Sequence, residues 1–239
     1  MPEPTDTRSA TRARIVEVAA RMLSLDGPGA VTTRAVAEGA GVQAPTIYRL
    51  FGDKDGLLEA VVEHVMAAHV ARKTVQEAAS VAAAHDPLDD LRTSWAAQIE
   101  FGLANPAVFR MLSDPDRALR SAAAQTGQRV LESRVHRVAA TGRLRVSEER
   151  AVAMVQAAGV GTIQVLLATP ADQRDAGLAA AMYDAVLAQI LTDAPTAEDD
   201  GTTAAVVAFR TRAPQLAALT AAERGLLVDW LDRVLAESR

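Results

Sequence analysis

The sequence predicts an all-α protein, and its composition, its apolar periodicity and the positions of its helix-breaking residues support this. Apolar residues make up 49% of the 239 residues, whereas aromatic residues make up only 3%. Alanine and leucine favour helices, and small side chains let helices approach closely. No stretch alternates apolar and polar residues as a half-buried strand does; apolar residues instead recur at helical spacing.

Glycine, proline and N-cap residues divide the chain into predicted helices. Thr32 or Thr33, Asp53 and Ser147 are suitable N-caps, and Thr220 with Glu223 forms a capping box for a last helix. We expect that last helix to bury its apolar face against the body of the protein or a partner. The earlier helices are predicted at residues 12–25, 34–38, 45–50, 54–71 and beyond, 87–105, 106–112, 115–141, 148–168 and 172–191.

The distribution of charge permits a nucleic-acid partner but does not by itself indicate one. The net charge is −5, yet residues 1–55 carry seven basic and seven acidic side chains and are neutral. A DNA-binding domain needs its cations only on one face. The chain has no cysteine, which excludes disulfides, thiol nucleophiles and cysteine-ligated metals.

The sequence also indicates a cytoplasmic protein without a membrane partner. Its first ten residues lack the apolar core of a signal peptide. We expect no charge-free apolar run of membrane-spanning length, since the longest candidate, near 152–168, contains two glycines and two glutamines. His64 and His69 are five residues apart and do not share a helix face, so neither a metal nor another cofactor is expected.

Two short helices joined by a glycine-containing turn predict a helix-turn-helix. Small residues stand where the helices meet, namely Ala37, Gly41 and Val42. The exposed face of the second helix would be polar, with Gln43, Thr46, Tyr48 and Arg49. Ile47 and Phe51 would face inward and anchor this helix to the first and fourth helices.

A known family shares this pattern. The run from Thr32 to Lys54 reads TTRAVAEGAGVQAPTIYRLFGDK. It resembles the signature of the tetracycline-repressor (TetR) family of transcriptional regulators, and its Pro-Thr-x-Tyr core resembles that of the tetracycline repressors themselves. The resemblance is specific over residues 12–65, and beyond them it extends only to an architecture of helices. At Leu50 the family usually has His or a similar polar residue, so either one backbone contact is missing or Leu50 packs.

The resemblance implies DNA-contacting roles for individual positions. Thr33, Tyr48 and Lys54 would hold phosphates, and Arg34 would reach a guanine edge in the major groove. Arg49 would contact a base or a phosphate. Base edges or thymine methyl groups would be contacted by Ala44, Pro45 and Thr46. The polar residue Gln43 completes the predicted DNA-binding set.

The resemblance further implies a sensor and dimerisation domain after the helix-turn-helix. In the family the last two long helices of the core pair into a four-helix bundle, for which the candidates here are Val152, Val155, Gly159, Thr162, Tyr183, Val186, Leu187 and Ile190. A ligand cavity would be lined by Met66, Trp95, Gln98, Phe101, Phe109, Met111, Met154 and Gln156. For both sets, packing within one chain is the alternative, because apolar residues at helical spacing are usually core.

These observations predict a disordered tail at 1–10, a three-helix DNA-binding domain at 11–55, a larger helical ligand-binding and dimerisation domain at 56–194, and a linker with a C-terminal amphipathic helix at 195–239. The expected function is a homodimeric transcriptional repressor. It would leave a palindromic double-stranded operator when a small, mostly hydrophobic effector binds.

Two other classes of function were weighed against this one. An enzyme is not expected, because no nucleophile elbow, phosphate loop or dinucleotide fingerprint is present. The other alternative is a helical interaction or ligand-binding protein that has lost DNA binding, for which Leu50 and the neutral N-terminal segment are the only hints.

Overall fold

The computed structural model describes residues 4–192 and 202–237, and within these ranges the chain is built from α-helices, as predicted. Only an isolated antiparallel bridge between Leu144 and Leu191 and two short 3-10 turns interrupt this pattern in the described residues. The helices are α1 (Pro4–Asp26), α2 (Thr33–Gly39), α3 (Ala44–Phe51), α4 (Lys54–Ala82), α5 (Pro87–Ala104), α6 (Pro106–Leu112), α7 (Pro115–Arg120), α8 (Ala122–Ala140), α9 (Glu148–Ala168), α10 (Leu178–Ile190), α11 (Thr202–Arg212) and α12 (Ala221–Glu237).

Helix α1 begins earlier than the sequence predicted. The predicted start was residue 12, whereas the helix starts at Pro4, within the segment for which the sequence predicted a tail. Proline is tolerated at the first helical position because its missing N–H has no helical partner there. Between Pro4 and Gly27 the sequence has no glycine and no other proline, so nothing ends the helix there. The helix therefore extends on the N-terminal side of the apolar residues that predicted it.

The predicted helix at 115–141 is two helices that meet at Ser121. The Ser121 backbone is extended, and its hydroxyl accepts a hydrogen bond from the Ala124 amide at 3.0 Å. Glu63 of α4 accepts from the Ser121 hydroxyl at 2.7 Å and from the Ala123 amide at 2.8 Å. A carboxylate distant in sequence therefore satisfies donors at the start of α8 and stabilises a break that local propensity does not predict.

The helix predicted at 172–191 is shorter at its N-terminus. Residues 171–173 form a 3-10 turn, and α10 begins only at Leu178. The Asp175 carboxylate accepts a hydrogen bond from the Gly177 amide at 2.7 Å, which stabilises the intervening turn. Residues 195–201, where the sequence predicts the start of the linker, lie outside the described residues, and α11 begins at Thr202.

Packing divides the chain into two compact units. The N-terminal unit comprises Met1–Thr74 and Phe101–Gly127, and the C-terminal unit comprises Val75–Glu100 and Gln128–Arg239. Helices α4, α5 and α8 each contribute residues to both units. The predicted functional division at residue 55 does not follow this packing division, because most of α4 packs with α1–α3 in the N-terminal unit.

The core of the N-terminal unit holds α1–α4 together through apolar residues from each helix. Ile15, Val36, Ile47 and Leu57 are fully buried in one cluster. Helices α1 and α2 approach closely at Gly39, where an added Cβ would lie 2.9 Å from Cγ1 of Val18. The glycine is therefore required at this position by steric contact.

Helix α9 has its buried face in the core of the C-terminal unit. Its length and composition would allow it to cross a membrane, because residues 151–168 carry no charge. The sequence-based expectation that no charge-free apolar run reaches membrane-spanning length was therefore wrong. Seven of its residues are nevertheless buried, and it packs along α10. The Trp95 ring lies beside Gly159, and its indole N–H donates to the Ala179 carbonyl at 2.9 Å. Core helices of soluble proteins meet the same length and hydropathy criteria.

Helices α11 and α12 pack against each other at the end of the chain. The predicted capping box is present, since the Glu223 carboxylate accepts from the Thr220 amide at 2.7 Å and the Thr220 hydroxyl accepts from the Glu223 amide at 3.3 Å. These hydrogen bonds with Thr220 hold the pKa of Glu223 below its usual value. Burial of the α12 apolar face is only partial, because Leu226 and Trp230 remain about half exposed.

A buried ion pair joins α5 to α8 within the C-terminal unit. The Arg134 guanidinium is fully buried and donates from Nε to Asp90 at 3.0 Å and from Nη1 to Ser94 at 3.1 Å. Arg137 also donates to Asp90. The Asp90 carboxylate is itself buried, so each charge depends on the others for the interactions that water would otherwise supply.

We expect Asp90→Ala to lower the free energy of unfolding by about 3–5 kcal/mol, because it leaves Arg134 buried without its carboxylate partner. Urea unfolding followed by circular dichroism measures this loss. Asp89→Ala, at the exposed neighbouring position, is the matched control and changes stability by no more than about 1 kcal/mol. Equal losses for the two variants would show that the buried pair does not stabilise the unit.

Candidate nucleic-acid interface

Helix α2 begins with one of the two threonine caps that the sequence predicted. Thr32 is extended, and its hydroxyl accepts a hydrogen bond from the Ala35 amide at 3.1 Å. Val36 and Ala37 are buried, whereas Arg34 is exposed and Thr33 is half-buried. The helix is therefore anchored by one face and presents its basic N-terminal turn to solvent.

A tight turn connects α2 to α3. Gly41 has a φ of 61°, in the left-handed region that glycine adopts without a Cβ clash. The Val42 amide donates to the Ala37 carbonyl at 2.9 Å, which ties the turn to the end of α2. This is the junction that the small residues Ala37, Gly41 and Val42 predicted.

Helix α3 is amphipathic, and one residue separates its two faces. Ile47 is 0% exposed and lies in the core cluster, whereas the next residue, Tyr48, is 52% exposed. Arg49 is exposed, and Thr46 is half-buried. Among the other predicted contact residues, Gln43 and Pro45 are exposed and Ala44 is half-buried. The structure thus places the predicted polar face of α3 outward.

A hydrogen bond between side chains connects the two helices of the motif. The Thr33 hydroxyl and the Tyr48 hydroxyl are 3.3 Å apart, and either oxygen can be the donor. Both residues are predicted phosphate contacts. Their hydroxyl groups therefore lie close enough to approach one short stretch of DNA backbone together.

The C-terminal end of α3 is held by Phe51 and by the start of α4. The Arg12 guanidinium lies 5.0 Å from the centroid of the half-buried Phe51 ring, a cation–π arrangement. Gly52 has a φ of 84°, and Asp53 accepts a hydrogen bond from the Gly56 amide at 2.8 Å. Lys54 is exposed at the first turn of α4. Sequence analysis missed Arg12, because its partner Phe51 lies 39 residues further along the chain.

Leu50 packs against the core. This was one of the two alternatives for Leu50, the other being the loss of a contact to the DNA backbone. Its side chain is half-buried against the core cluster of the N-terminal unit. It therefore contributes to the anchoring of α3.

The predicted ligand-cavity residues are divided between the two compact units. In the N-terminal unit, the Phe101 ring stacks on His69 at 3.9 Å between centroids, and Met111 lines a pocket described below. In the C-terminal unit, Trp95 is buried and Gln156 is exposed to solvent. The others are half-buried, namely Met66, Gln98, Phe109 and Met154. The exposure of Gln156 contradicts its placement in an enclosed cavity, because a helix residue on the outer face cannot line one.

The predicted dimer residues lie on the wrong face of α9 and α10. Seven are buried inside the single chain, where they cannot reach a partner: Val152, Val155, Gly159, Thr162, Tyr183, Val186 and Ile190. Leu187 is half-buried. The packing of α9 on α10 and of Trp95 on Gly159 uses this face, so the alternative of intramolecular core is the correct one.

The outward face of these two helices is the one that sequence analysis missed. It is uncharged over residues 151–168 of α9, and its most exposed apolar residues are Val160, Val165 and Met182. Exposed alanines contribute to it, namely Ala153, Ala157, Ala181, Ala185 and Ala188, together with polar residues such as Gln156, Gln164 and Asp184. The signal was present as a second stripe of small residues at helical spacing, but spacing alone does not tell which stripe faces inward.

We expect Ile47→Ala to lower the free energy of unfolding by about 2–5 kcal/mol, because it opens a cavity beneath α3. Arg49→Ala, two residues later on the exposed face, is the matched control and changes stability by about 0.5 kcal/mol or less. Chemical denaturation measures both variants. A loss for Arg49→Ala as large as that for Ile47→Ala would contradict the orientation of α3.

Known proteins share both the motif and the fold. Residues 15–61 match the sequence profile of the bacterial regulatory proteins of the tetR family. The HTH-type transcriptional regulator BetI of Burkholderia ambifaria is 34% identical over 93 residues, which are 39% of this chain and 46% of that protein. The BetI protein of Burkholderia cenocepacia is 33% identical over the same shares. The chain thus spans about half the length of the curated relatives it matches.

Solved structures extend the likeness in fold beyond the motif. The fatty acid degradation regulator FadR from Bacillus halodurans superposes with a TM-score of 0.56 at 18% identity, covering 79% of this chain and 95% of FadR. A tetR family transcription regulator from Shewanella sp. PV-4 superposes with a TM-score of 0.52 at 18% identity, covering 77% and 99%. These proteins are named as regulators and not as enzymes. Residues 15–61 of this chain therefore resemble the helix-turn-helix segment of the tetR family of bacterial regulatory proteins.

Proposed function

We propose that this protein is a transcriptional regulator that binds palindromic operator DNA as a homodimer and acts in the cytoplasm. The observation that carries the proposal is the orientation of α3: Ile47 anchors the helix while Tyr48 and Arg49 face solvent. A helix presented in this way has the dimensions to enter the major groove. The match of residues 15–61 to the tetR family supports the same function.

Individual residues would divide the work between phosphates and bases. Thr33, Tyr48 and Lys54 hold backbone phosphates, and the bond between Thr33 and Tyr48 positions the first two hydroxyls. Arg34 reads a guanine edge in the major groove. Arg49 lies beside Tyr48 on the exposed face of α3 and adds positive charge to that face. Gln43, Ala44, Pro45 and Thr46 form the N-terminal turns of α3, which approach the base edges most closely.

Dimerisation would use the outward face of α9 and α10. Residues 151–168 carry no charge, yet Val165 is 54% exposed and Val160 is also exposed in the single chain. An uncharged exposed face of this length is typical of a surface that a partner covers. A second copy related by a two-fold axis would cover it and would present two α3 helices to one duplex, about 34–36 Å apart or a multiple of that.

Release from DNA would follow from linkage between a ligand and the geometry of the dimer. A ligand that prefers a conformation with the wrong half-site spacing weakens operator binding by its differential affinity for the two conformations. Helix α4 is the natural lever, because it begins two residues after α3 and contributes to both compact units. Repression relieved by a small, mostly hydrophobic effector is therefore the mode that we propose.

The alternative of a protein that has lost DNA binding rested on Leu50 and on the neutral N-terminal segment. Leu50 packs against the core and supports the position of α3. Arg34, Arg49 and Lys54 are all exposed, so the cations of the motif are available to a duplex although the segment is neutral overall. A DNA-binding experiment distinguishes the regulator from a protein that has lost DNA binding.

We expect the purified protein to bind the DNA upstream of its own gene, with an affinity that falls steeply as salt rises. Arg34→Ala should weaken binding by about 1–3 kcal/mol, or roughly tenfold to a hundredfold, because it removes a contact to a base edge. Fluorescence anisotropy with labelled DNA measures both effects. Arg72→Ala, at an exposed arginine later in α4, is the matched control and should leave affinity unchanged. Absence of binding at low salt would support the interaction protein instead.

We expect Val165→Glu to convert the dimer into monomers, because it places a charge in the middle of the proposed interface. Sedimentation velocity measures the change, and operator affinity should fall in parallel. Val81→Glu is the control, since both valines are 54% exposed and only Val165 lies on the outward face of α9. A Val165→Glu protein that remains dimeric would place the interface elsewhere.

A further inference from the structure

The N-terminal unit contains a pocket that the DNA-binding role does not use. It has a volume of about 420 Å³. Its walls come from α1, α4, α6, α7 and α8, all within the unit that carries the helix-turn-helix. Four apolar residues contribute to its lining, namely Ala60, Val62, Met111 and Leu112.

Charged residues also line the pocket. Three are arginines, namely Arg12, Arg117 and Arg120, and two are acidic, namely Glu59 and Glu63. The Glu63 carboxylate is already engaged at the start of α8, where its two oxygens accept hydrogen bonds from the Ser121 hydroxyl and the Ala123 amide. The Glu59 carboxylate is thus shared between Arg117 and Arg120, and Asp114 lies 3.8 Å from Nε of Arg117 as a second carboxylate.

Arg117 is incompletely satisfied. Its Nη1 atom is buried and has no hydrogen-bond partner among the described residues, and the Oε1 atom of Glu59 lies 3.7 Å away, beyond hydrogen-bond length. The Nη2 atom of Arg120 lies at the same distance from that oxygen. A buried donor of this kind is stabilised by an acceptor that enters the pocket.

We propose that this pocket binds an amphiphilic anion, with its carboxylate or phosphate group held by Arg117 and Arg120 and its aliphatic body against Met111 and Leu112. A planar guanidinium pairs well with either head group, and the apolar wall removes the aliphatic body from water. The position of the pocket differs from the cavity predicted from the sequence, of whose residues it includes only Met111.

The pocket is connected to α3 through Arg12. The same guanidinium that lines the pocket lies over the ring of Phe51, the last residue of α3. Gly56 and Glu59, in the first turns of α4, line the pocket as well. An anion that attracts Arg12 away from Phe51 would loosen the C-terminal anchor of α3. This coupling rests on the proposed DNA-binding function, whereas the binding site itself does not.

Isothermal titration calorimetry of the full chain with octanoate and with octyl phosphate tests the site. We expect at least one of the two anions to bind with a Kd below about 1 mM, and neutral 1-octanol to bind at least about tenfold more weakly because it lacks the charge. Preference between the two anions identifies the head group. Failure of both anions to bind, or equal binding of 1-octanol, would overturn the proposal.

Variants show whether binding occurs in this pocket. Arg117→Gln should weaken the anion by about tenfold or more, while Arg110→Gln, at an exposed arginine of α6 outside the pocket, should leave the Kd unchanged. Ala122→Phe fills the pocket from an exposed position on its rim and should also abolish binding without removing a charge. Thermal unfolding confirms that each variant is folded. Unchanged binding to folded Ala122→Phe would contradict the assignment.

Coupling to DNA is measured separately by anisotropy with and without the anion. Phe51→Leu removes the ring beneath Arg12, so the anion should still bind while its effect on operator affinity is lost. If the protein binds no DNA, the proposed function fails while the calorimetric result stands. If DNA binds but neither anion does, only the pocket assignment fails.

Discussion

The burial of Ile47 is the constraint on which the DNA-binding surface depends. With that side chain fully buried in the core cluster of the N-terminal unit, the rotation of α3 about its axis is set, and Tyr48 and Arg49 face outward. A helix of eight residues has little stability of its own, so its orientation comes from packing. The position of Tyr48 and Arg49 is therefore a consequence of the core beneath them.

Around this anchor, polar contacts set the two ends of the motif. The hydrogen bond between the Thr33 and Tyr48 hydroxyl groups joins the start of α2 to the middle of α3. At the other end, Arg12 covers Phe51, and Asp53 caps the helix that follows. Since Arg12 also lines the pocket of the N-terminal unit, one side chain supports α3 and contributes to the proposed anion site. A ligand there could change the support of α3 through that side chain.

The C-terminal unit is stabilised differently. It buries the Asp90–Arg134 ion pair and directs most of its apolar residues inward through α9 and α10, with Trp95 packed on Gly159. A second stripe of small and apolar residues on α9 and α10 remains outside. One helix pair therefore supplies a core face and an outer face that is uncharged over residues 151–168 of α9 and carries the exposed acid Asp184 on α10. The outer face is the one that the proposed dimer would use.

The sequence by itself determined the fold class, the boundaries of α2, α3, α6 and α9 to within one residue, the caps at Asp53, Ser147 and Thr220, and the polar face of α3, because each of these depends on residues close together in the chain. Only the tertiary structure decided the break at Ser121, the partner of Phe51, the anion pocket and which face of α9 is buried. These depend on contacts between residues far apart in sequence, such as Glu63 with Ser121, for which local spacing carries no information.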